Sequence, residues 1–488
     1  MATANLQNNA RYLSTVTRQL KSSIGRAVKQ EHYDTALTLL SSCAAVLYSA
    51  NQCYTDDYLE DTLCRIAEIA LPNIHVDGSD RSRILIYDGF GFNNRGLIRI
   101  YLTALCKLGH VIYVTDISHK DELPDVLDIL NASGADIVWQ TQTKPLAAID
   151  ELYGIFQQYH PGTAFLYTTP YDVVSTSVFT RLAGVVQRLQ INLTDHAYWL
   201  GVHAFDLCIE FRDYGAVASR DGRNIPAEKL VKLPFYPTIN KQTPFQGFPF
   251  PVEDGQKVIF SGGFLYKTFS SDNLYYTLVS HILEQYPDTI FWYAGSGDRR
   301  QMDAILQRFP GRAFLTTERS DLHQILEHCF FYLSTYPITG GLMFQHAACA
   351  GKIPVTLRYD SECDGYLLDQ PNLGFEANTL EEAKQLIRRI VTDDAFREEK
   401  EQKIQSAVLT QSTFEEQLRD LVFAGKTAYP ITYYPVDTQN LHQQYLAGVT
   451  RSAIALVVTH KQNLPVAFCL PLTFAVGLFQ LIKKKLFR

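Results

Sequence analysis

The sequence lacks several features that would each point to a particular class of protein. It has no excess of basic residues, with 44 Lys and Arg against 51 Asp and Glu and a net charge of −7, which argues against a nucleic-acid binder that neutralises phosphates. Its nine cysteines include no Cys-x-x-Cys pair and mostly lie in apolar runs, as reduced core residues do. The N-terminal stretch has no continuous apolar core of the kind found in signal peptides. We therefore expect a cytoplasmic protein without a nucleic-acid partner.

A chain of 488 residues is too long for a single compact core. Changes in the sequence pattern indicate where its domains begin and end. Apolar residues at helical spacing predict a two-helix accessory unit over residues 1–78. Strands alternate with helices over residues 79–240 and again over 241–425, which predicts an α/β fold with two Rossmann-like domains. Prolines between 234 and 251 predict a semi-rigid linker between them. Residues 426–488 form a C-terminal extension.

One stretch, residues 330–357, has the features of an anion site. It reads as a strand, a turn containing Gly340 and Gly341, a helix over residues 342–350 and a second strand from Pro354. Adjacent glycines at a helix N-terminus allow backbone N–H groups to approach a ligand, and the helix dipole favours a negative charge there. This arrangement suits a diphosphate, although a strand-turn-helix corner without a ligand has the same pattern.

The first α/β domain opens with another strand, glycine loop, helix and strand, over residues 84–116. A dinucleotide fingerprint requires Gly-x-Gly-x-x-Gly, but here the third glycine is late and Asn93, Asn94 and Arg95 precede it. This departure argues against a nicotinamide cofactor. We expect Asp88 and these three residues to form a loop that hydrogen-bonds polar groups on the acceptor side.

The C-terminal tail is apolar and then basic. Residues 464–482 contain no charged side chain, and Lys483, Lys484, Lys485 and Arg488 follow. The stretch could just span a bilayer, but Pro465 and Pro471 interrupt it. A helix lying in the membrane interface, with its lysines on anionic headgroups, fits at least as well, and a buried or oligomer-forming tail is the third possibility.

Three motifs, DGFGFNNRGLIRIYLTALCKLGHVIYVT, VIFSGGFLYKT and PITGGLMFQHAACAGKIPV, resemble those of GT-B nucleotide-sugar glycosyltransferases over roughly residues 80–425. The resemblance implies two Rossmann-like domains facing a central cleft. It implies that Lys267 neutralises the diphosphate of a nucleotide-sugar donor, with a UDP-sugar favoured. It assigns the remaining donor contacts to Gly262, Gly263, Thr339, Gly340, Gly341 and Leu342. The resemblance also implies that the reaction requires no metal ion, in keeping with the lack of an Asp-x-Asp motif, and no other cofactor.

The sequence departs from this family at a pair of glutamates that retaining members often carry. The corresponding positions hold Ile338 and His346. We expect Gln345 and His346, or Glu362 on the next loop, to replace those carboxylates. Whether the reaction retains or inverts the anomeric configuration stays open.

For the chemistry in the first domain we favour His196, since an inverting transfer requires a base beside the acceptor hydroxyl and histidine titrates near neutral pH. Asp195 or Asp88 is the alternative base, or orients that histidine. A hydrogen-bonded structural role for His196 is the competing interpretation. We expect Arg212 and Asp213 to form a local ion pair.

The sequence thus predicts a metal-independent glycosyltransferase that moves a sugar to a hydroxyl on a lipid-linked or cell-surface glycan intermediate, or on a soluble protein or glycan. Its expected location is the cytoplasm, and attachment to the inner face of the cell membrane through the tail is the further option. A nucleotide-sugar epimerase of the same fold is the first alternative. A non-catalytic GT-B-like subunit that binds an active transferase is the second.

Overall fold

The computed structural model describes residues 2–91, 95–239, 243–270, 272–358, 365–437, 442–443, 445–446, 449–459 and 464–486. The chain divides into two compact units. Unit 1 comprises Met1–Leu233 together with Glu415–Arg488, and unit 2 comprises Pro234–Phe414. This division differs from the four consecutive segments expected from the sequence, because both end segments belong to the first unit.

The first part of unit 1 contains, in chain order, α1 (Ala2–Lys29), α2 (Tyr33–Ala50), α3 (Asp57–Ala70), β1 (Arg83–Asp88), α4 (Arg95–Leu108), β2 (His110–Asp116), α5 (Pro124–Ser133), β3 (Asp136–Gln140), α6 (Pro145–Tyr159), β4 (Thr163–Tyr167), α7 (Val173–Arg181), β5 (Gln187–Ile191), β6 (Leu207–Glu210), α8 (Asp213–Val217) and β7 (Leu230–Lys232). The seven strands pair in the order β3-β2-β1-β4-β5-β6-β7, and each neighbouring pair is parallel. The first six strands have the strand order of a Rossmann fold.

Unit 2 contains β8 (Lys257–Gly262), α9 (Leu274–Gln285), β9 (Thr289–Ala294), α10 (Arg300–Arg308), β10 (Ala313–Thr316), α11 (Leu322–His328), β11 (Phe331–Leu333), α12 (Gly341–Cys349), β12 (Pro354–Leu357), α13 (Gln370–Leu373), β13 (Glu376–Ala377), α14 (Leu380–Thr392) and α15 (Asp394–Ser406). The strand order is β10-β9-β8-β11-β12-β13, again parallel throughout. Both sheets therefore reverse their strand order beside their first strand.

Among the described residues, the helices that follow include α16 (Gln411–Ala424), which runs across the junction at Phe414, α17 (Arg451–Thr459), α18 (Leu464–Cys469) and α19 (Pro471–Leu486). Because α19 begins at Pro471, the apolar tail is two short helices rather than one continuous helix. Within the described residues, none of the helices combines the length and the apolar character that a membrane crossing requires.

The central strands form because they are apolar on both faces, as strands covered by helices on two sides must be. In β1 every residue after Arg83 is buried, and β4 and β9 are buried along their whole length. Helices on the two sides of each sheet supply the covering layers. This is why short apolar runs between glycine and proline signals predicted most of the strands.

The N-terminal region has three helices, not two, and it is not a separate layer. Its buried side chains belong to the same hydrophobic core as β1, β4, α6, α7, α17 and α18. Polar contacts join it to the sheet as well. The Ser41 hydroxyl donates to the Tyr171 carbonyl over 2.7 Å, and the Leu146 N–H donates to the Asp34 carboxylate over 2.9 Å.

Glu60 on α3 is a buried carboxyl within this helix layer. Its Oε1 accepts a hydrogen bond from the Gly201 N–H over 2.9 Å. Burial raises the pKa of Glu60 to about 7, and the N–H groups of Gly201 and Val202 only partly offset that effect. The folded protein therefore holds the Glu60 proton well into the neutral range.

We predict that Glu60→Gln removes a pH-dependent loss of stability. The folded pKa lies above the ordinary value of 4.5, so the contribution of Glu60 is fully present below that value and is lost as pH rises through about 7. The variant keeps an acceptor for Gly201. Its unfolding free energy in urea should lie within about 1 kcal/mol of the parent at pH 5 and exceed it by about 3 kcal/mol at pH 8.

Glu68→Gln, on the exposed face of the same helix, is the matched control and should change stability by less than about 0.5 kcal/mol at both pH values. An unfolding free energy for Glu60→Gln that differs from the parent by the same amount at pH 5 and pH 8 would contradict the prediction.

Candidate functional site

The predicted donor residues lie at the point where the strand order of the second sheet reverses. Strands β8 and β11 are neighbours there, and the chain segments that follow their carboxyl ends carry Lys267 and the Gly340–Gly341 pair respectively. Open α/β sheets bind ligands at the carboxyl ends of the strands at such a switch point. The structure thus brings together two motifs that are more than 70 residues apart in the sequence.

Lys267 lies against the N-terminus of α12. Its Nζ is 3.6 Å from the position that a Cβ on Gly340 would occupy. Burial lowers the pKa of Lys267, and among the described residues Lys267 has no carboxylate within ion-pair distance. A partly desolvated cation beside the positive end of a helix is stabilised by an anion.

At two glycines of this site, a larger residue would strain the backbone or clash with a neighbouring side chain. Gly263 has a φ of +122°, and its N–H donates to the Ala294 carbonyl over 3.0 Å. A Cβ on Gly341 would lie 2.4 Å from the Tyr366 ring. The Gly340 carbonyl accepts the first hydrogen bond of α12, from the Phe344 N–H, over 2.9 Å. These constraints fix the backbone that leads into the helix N-terminus.

Gln345 and His346, the expected replacements for the missing glutamates, differ in their surroundings. Gln345 is buried, and its amide donates to the carbonyls of Phe235 and Tyr366 over 2.9 and 3.1 Å. These contacts are those of a structural residue. Burial, assisted by the nearby His323, lowers the pKa of His346 to about 4, so its ring is neutral at pH 7. Its Nδ1 is shielded from solvent without a hydrogen-bond partner among the described residues.

Exposed apolar side chains surround this position. The structure exposes 54% of Phe264 and 56% of Tyr266, whose rings stack with centroids 6.2 Å apart. Ile338 and Leu342, on the loop and helix opposite, are also exposed. The two loops are joined because the Ile338 N–H donates to the Lys267 carbonyl over 3.3 Å. The lysine therefore lies among aromatic and aliphatic surfaces that a ring could contact.

In unit 1, Asp88 is at the end of β1 and is fully buried. Its carboxylate accepts hydrogen bonds from the N–H groups of Phe90 and Gly91, each over 3.0 Å, and from the Tyr113 hydroxyl over 2.7 Å. Burial raises the pKa of Asp88 to about 6, against the opposing effect of these donors. This placement holds the glycine loop and leaves the carboxylate without solvent access.

Asp195 and His196 follow β5 on the carboxyl side of the first sheet. Asp195 is buried, and its two oxygens accept from Nε and a terminal nitrogen of Arg212 over 2.6 and 3.0 Å. Burial alone would raise the pKa of Asp195, but Arg212 and His196 outweigh it and hold it at about 2. The Nδ1 of His196 lies 3.4 Å from Asp195 Oδ1. Asp195 is thus placed to orient His196.

The prediction of an ion pair between Arg212 and Asp213 is wrong. Arg212 points into the core and binds Asp195, while Asp213 accepts from Lys232 over 2.7 Å. The two neighbours point in different directions because Arg212 precedes the first turn of α8 in extended conformation. Arg212 lies two residues after the strand β6, and this position was a usable signal because a charge there lies at the ligand edge of the sheet.

Two further residues that position the His196 segment were missed. The guanidinium of Arg223 is fully buried and donates to the carbonyls of Thr194, Asp195 and Ala197 over 3.2, 3.1 and 2.5 Å. The Asn51 amide donates to the His196 carbonyl over 2.9 Å. Asn51 ends α2 in the left-handed conformation, a position that an asparagine after a long helix can signal. Nothing local in the sequence indicates Arg223.

Some of the predicted positions are not placed. Asn93, Asn94 and Glu362 lie outside the described residues, and Arg95 is described only as the first residue of α4. Within the ranges that the structure covers, His, Cys, Asp and Glu side chains nowhere form a group of three that could hold a metal ion.

No known protein-family model and no curated protein sequence matches this chain. Among solved structures it is similar to a glycosyltransferase from Rickettsia africae, with 10% identity and a TM-score of 0.53 over 70% of this chain and 98% of that chain. The chain has the GT-B fold. Weaker similarities, each with a TM-score of 0.49, are to an O-GlcNAc transferase variant from Thermobaculum terrenum (15% identity, 92% of this chain and 84% of that one) and to a UDP-GlcNAc 2-epimerase from Neisseria meningitidis bound to UDP-GlcNAc (12%, 70% and 100%).

We predict that Arg212→Met destabilises unit 1 by about 3 kcal/mol or more, because it leaves the Asp195 carboxylate buried without its partner. The double variant Arg212→Met/Asp195→Asn removes that charge and should recover most of the loss. Urea unfolding of the parent, both single variants and the double variant measures the coupling. Additive losses in the double variant would show that the pair does not act as a unit.

Proposed function

We propose that this protein transfers a sugar from a nucleoside-diphosphate sugar, with a UDP-sugar favoured, to a hydroxyl group of an acceptor. The observation that carries the proposal is the position of Lys267 beside the N-terminus of α12, at the switch point of a GT-B-type parallel sheet. The lowered pKa of Lys267 and its lack of an ion-pair partner among the described residues support an anionic ligand.

The proposed donor chemistry follows from this electrostatic arrangement. When the bond from the anomeric carbon to the diphosphate oxygen breaks, negative charge grows on the diphosphate. The Lys267 ammonium and the N–H groups at the start of α12 would stabilise that charge. Since the N–H groups at the start of α12 are fixed by the fold before the donor binds, they require little reorganisation in the transition state. Phe264 and Tyr266 offer ring faces for the base or the sugar.

The proposed base for the acceptor hydroxyl is His196. Asp195 lies on the Nδ1 side of its ring, which favours the tautomer that carries its proton on Nδ1 and leaves Nε2 to take a proton. Arg212 keeps Asp195 ionised, so the carboxylate orients the ring and stabilises the imidazolium that forms. This assignment gives Asp195 an orienting role and makes Asp88, held by three donors, a structural residue.

The acceptor that we propose is a lipid-linked or cell-surface glycan intermediate. The exposed apolar side chains Phe264, Tyr266, Ile338 and Leu342 around the lysine support an acceptor with an apolar part or with sugar rings that stack on aromatic faces. A protein hydroxyl is the alternative acceptor class.

The deciding experiment combines binding and product analysis. Calorimetry and thermal unfolding of the full chain with UDP, GDP, TDP, CMP and NAD, each with and without magnesium, should show binding of UDP without a metal requirement. Incubation with UDP-sugars and a hydroxyl acceptor should then release UDP. Isomerisation of the UDP-sugar without UDP release would instead identify an epimerase, and binding of no nucleotide would favour a non-catalytic subunit.

We predict that Lys267→Met weakens UDP binding by about tenfold to a hundredfold, the effect of losing one charge-assisted contact. Titration calorimetry measures the change. Lys257→Met is the matched control because Lys257 begins β8, the strand that leads to Lys267, but pairs with Asp288. It should leave UDP affinity within about twofold. Equal effects of the two substitutions would contradict the assignment of Lys267.

We predict that His196→Ala lowers kcat by about a hundredfold or more, as expected for loss of a general base, and leaves UDP affinity unchanged. Steady-state kinetics with a saturating acceptor and calorimetry with UDP separate the two effects. His203→Ala, an exposed histidine near the same segment, is the control. A His196→Ala variant with parental kcat would exclude His196 as the base.

A further inference from the structure

The two C-terminal helices expose an unusual amount of apolar surface. Of the sixteen large hydrophobic side chains that are exposed in the described part of the chain, seven lie within residues 464–482. Phe468 and Leu472 expose 85% and 83% of their surface. The full set is Leu464, Phe468, Leu472, Val476, Leu478, Phe479 and Ile482. Single exposed apolar residues are common, but a contiguous group of this size marks an interaction surface.

The opposite face of these helices is packed into the fold. Val466 and Leu470 are buried in the core of unit 1. Gly477 lies so close to α17 that a Cβ there would be 2.2 Å from the Ala455 carbonyl oxygen. The inner face is therefore already used, and the outer apolar side chains are held outward by a fixed helix.

The outward face has a regular arrangement. Leu472, Val476, Phe479 and Lys483 follow one another at spacings of four, three and four residues, which places them along one side of α19. Lys484 and Lys485 come next in the sequence. An apolar ridge that ends in a basic cluster is the pattern of a helix that lies in a membrane interface.

The charge around this surface is one-sided. Helix α1 contacts α18, and the Tyr12 hydroxyl lies 3.2 Å from that of Thr473 in α19. Residues 1–30 and 438–488 together contain eleven Lys and Arg and no Asp or Glu, in a chain whose net charge is −7. Arg11, Arg18, Arg26 and Lys29 are exposed on α1. These two segments therefore carry positive charge only, although Lys21 pairs with Asp56, and α2, which also contacts α18, adds one carboxylate, Asp34.

We propose that the ridge formed by Phe468, Leu472, Val476, Phe479 and Ile482, with the basic residues of α1 and α19, binds an anionic lipid bilayer. The apolar side chains enter the boundary between headgroups and acyl chains, and the lysines and arginines contact the anionic headgroups. The combination of apolar and predominantly basic surface favours an anionic membrane over a second copy of the chain, because two such copies would repel each other. This inference does not depend on the transferase reaction.

The test is flotation of the full chain with two kinds of vesicle, phosphatidylcholine alone and phosphatidylcholine with about 30% phosphatidylglycerol. The protein should float with the anionic vesicles, and 0.5 M NaCl should weaken that binding. Leu472→Ser/Phe479→Ser should reduce binding by about tenfold or more, since two exposed anchors are lost. Phe423→Ser, which alters a 46% exposed phenylalanine on α16, is the control and should bind as the parent does.

A second variant, Lys483→Gln/Lys484→Gln/Lys485→Gln, tests the charge without touching the apolar ridge. It should lose about tenfold or more in affinity for anionic vesicles and keep the parental thermal unfolding curve. Absence of binding to anionic vesicles, or binding that neither variant changes, would overturn the proposal. Light scattering that shows a dimer abolished by Leu472→Ser/Phe479→Ser, without vesicle binding, would assign the ridge to a second copy and overturn it as well.

Discussion

The constraint on which this structure depends is the parallel strand. Parallel neighbours must be joined by crossovers, so every strand of a sheet delivers its following loop to the same edge. In both sheets the strand order reverses beside the first strand, at β1 and β4 in one and at β8 and β11 in the other. The polar residues of the proposed site follow strands, because that edge is where the chain leaves the buried sheet and can expose side chains to a ligand.

The two units differ in how they compensate a charged side chain that the fold desolvates. Asp195 has lost its water but is compensated by a bidentate arginine, and its pKa falls to about 2. Lys267 is also desolvated, but the described part of unit 2 gives it only the positive end of a helix, and its pKa falls. In the first arrangement the charge of Asp195 is balanced by the protein itself, and the carboxylate positions His196. The second arrangement is electrostatically incomplete, which is what a site for an anionic ligand requires.

Much of the fold followed from local pattern. The strand, glycine loop, helix and strand predicted over residues 84–116 correspond to β1, α4 and β2, and the Gly340–Gly341 pair predicted the start of α12 within one residue. The candidate site was harder to predict from the sequence, because its contacts join distant parts of the chain. Asn51 and His196 are 145 residues apart, and no spacing rule connects them. Arg212 was assigned to its neighbour because adjacency is visible in a sequence, whereas the direction in which a side chain leaves the backbone is not.

The division of unit 1 into two chain segments has a consequence for the order of folding. Residues 234–414 form a unit of their own, and a ribosome completes them before residues 415–488 exist. Unit 2 therefore has all its strands while the core of unit 1 still lacks α17 and α18, whose side chains belong to it. Until synthesis supplies those helices, the apolar residues of α1 and α2 that they cover are open to solvent. Helices α1 and α2 are thus synthesised well before the helices that complete their burial.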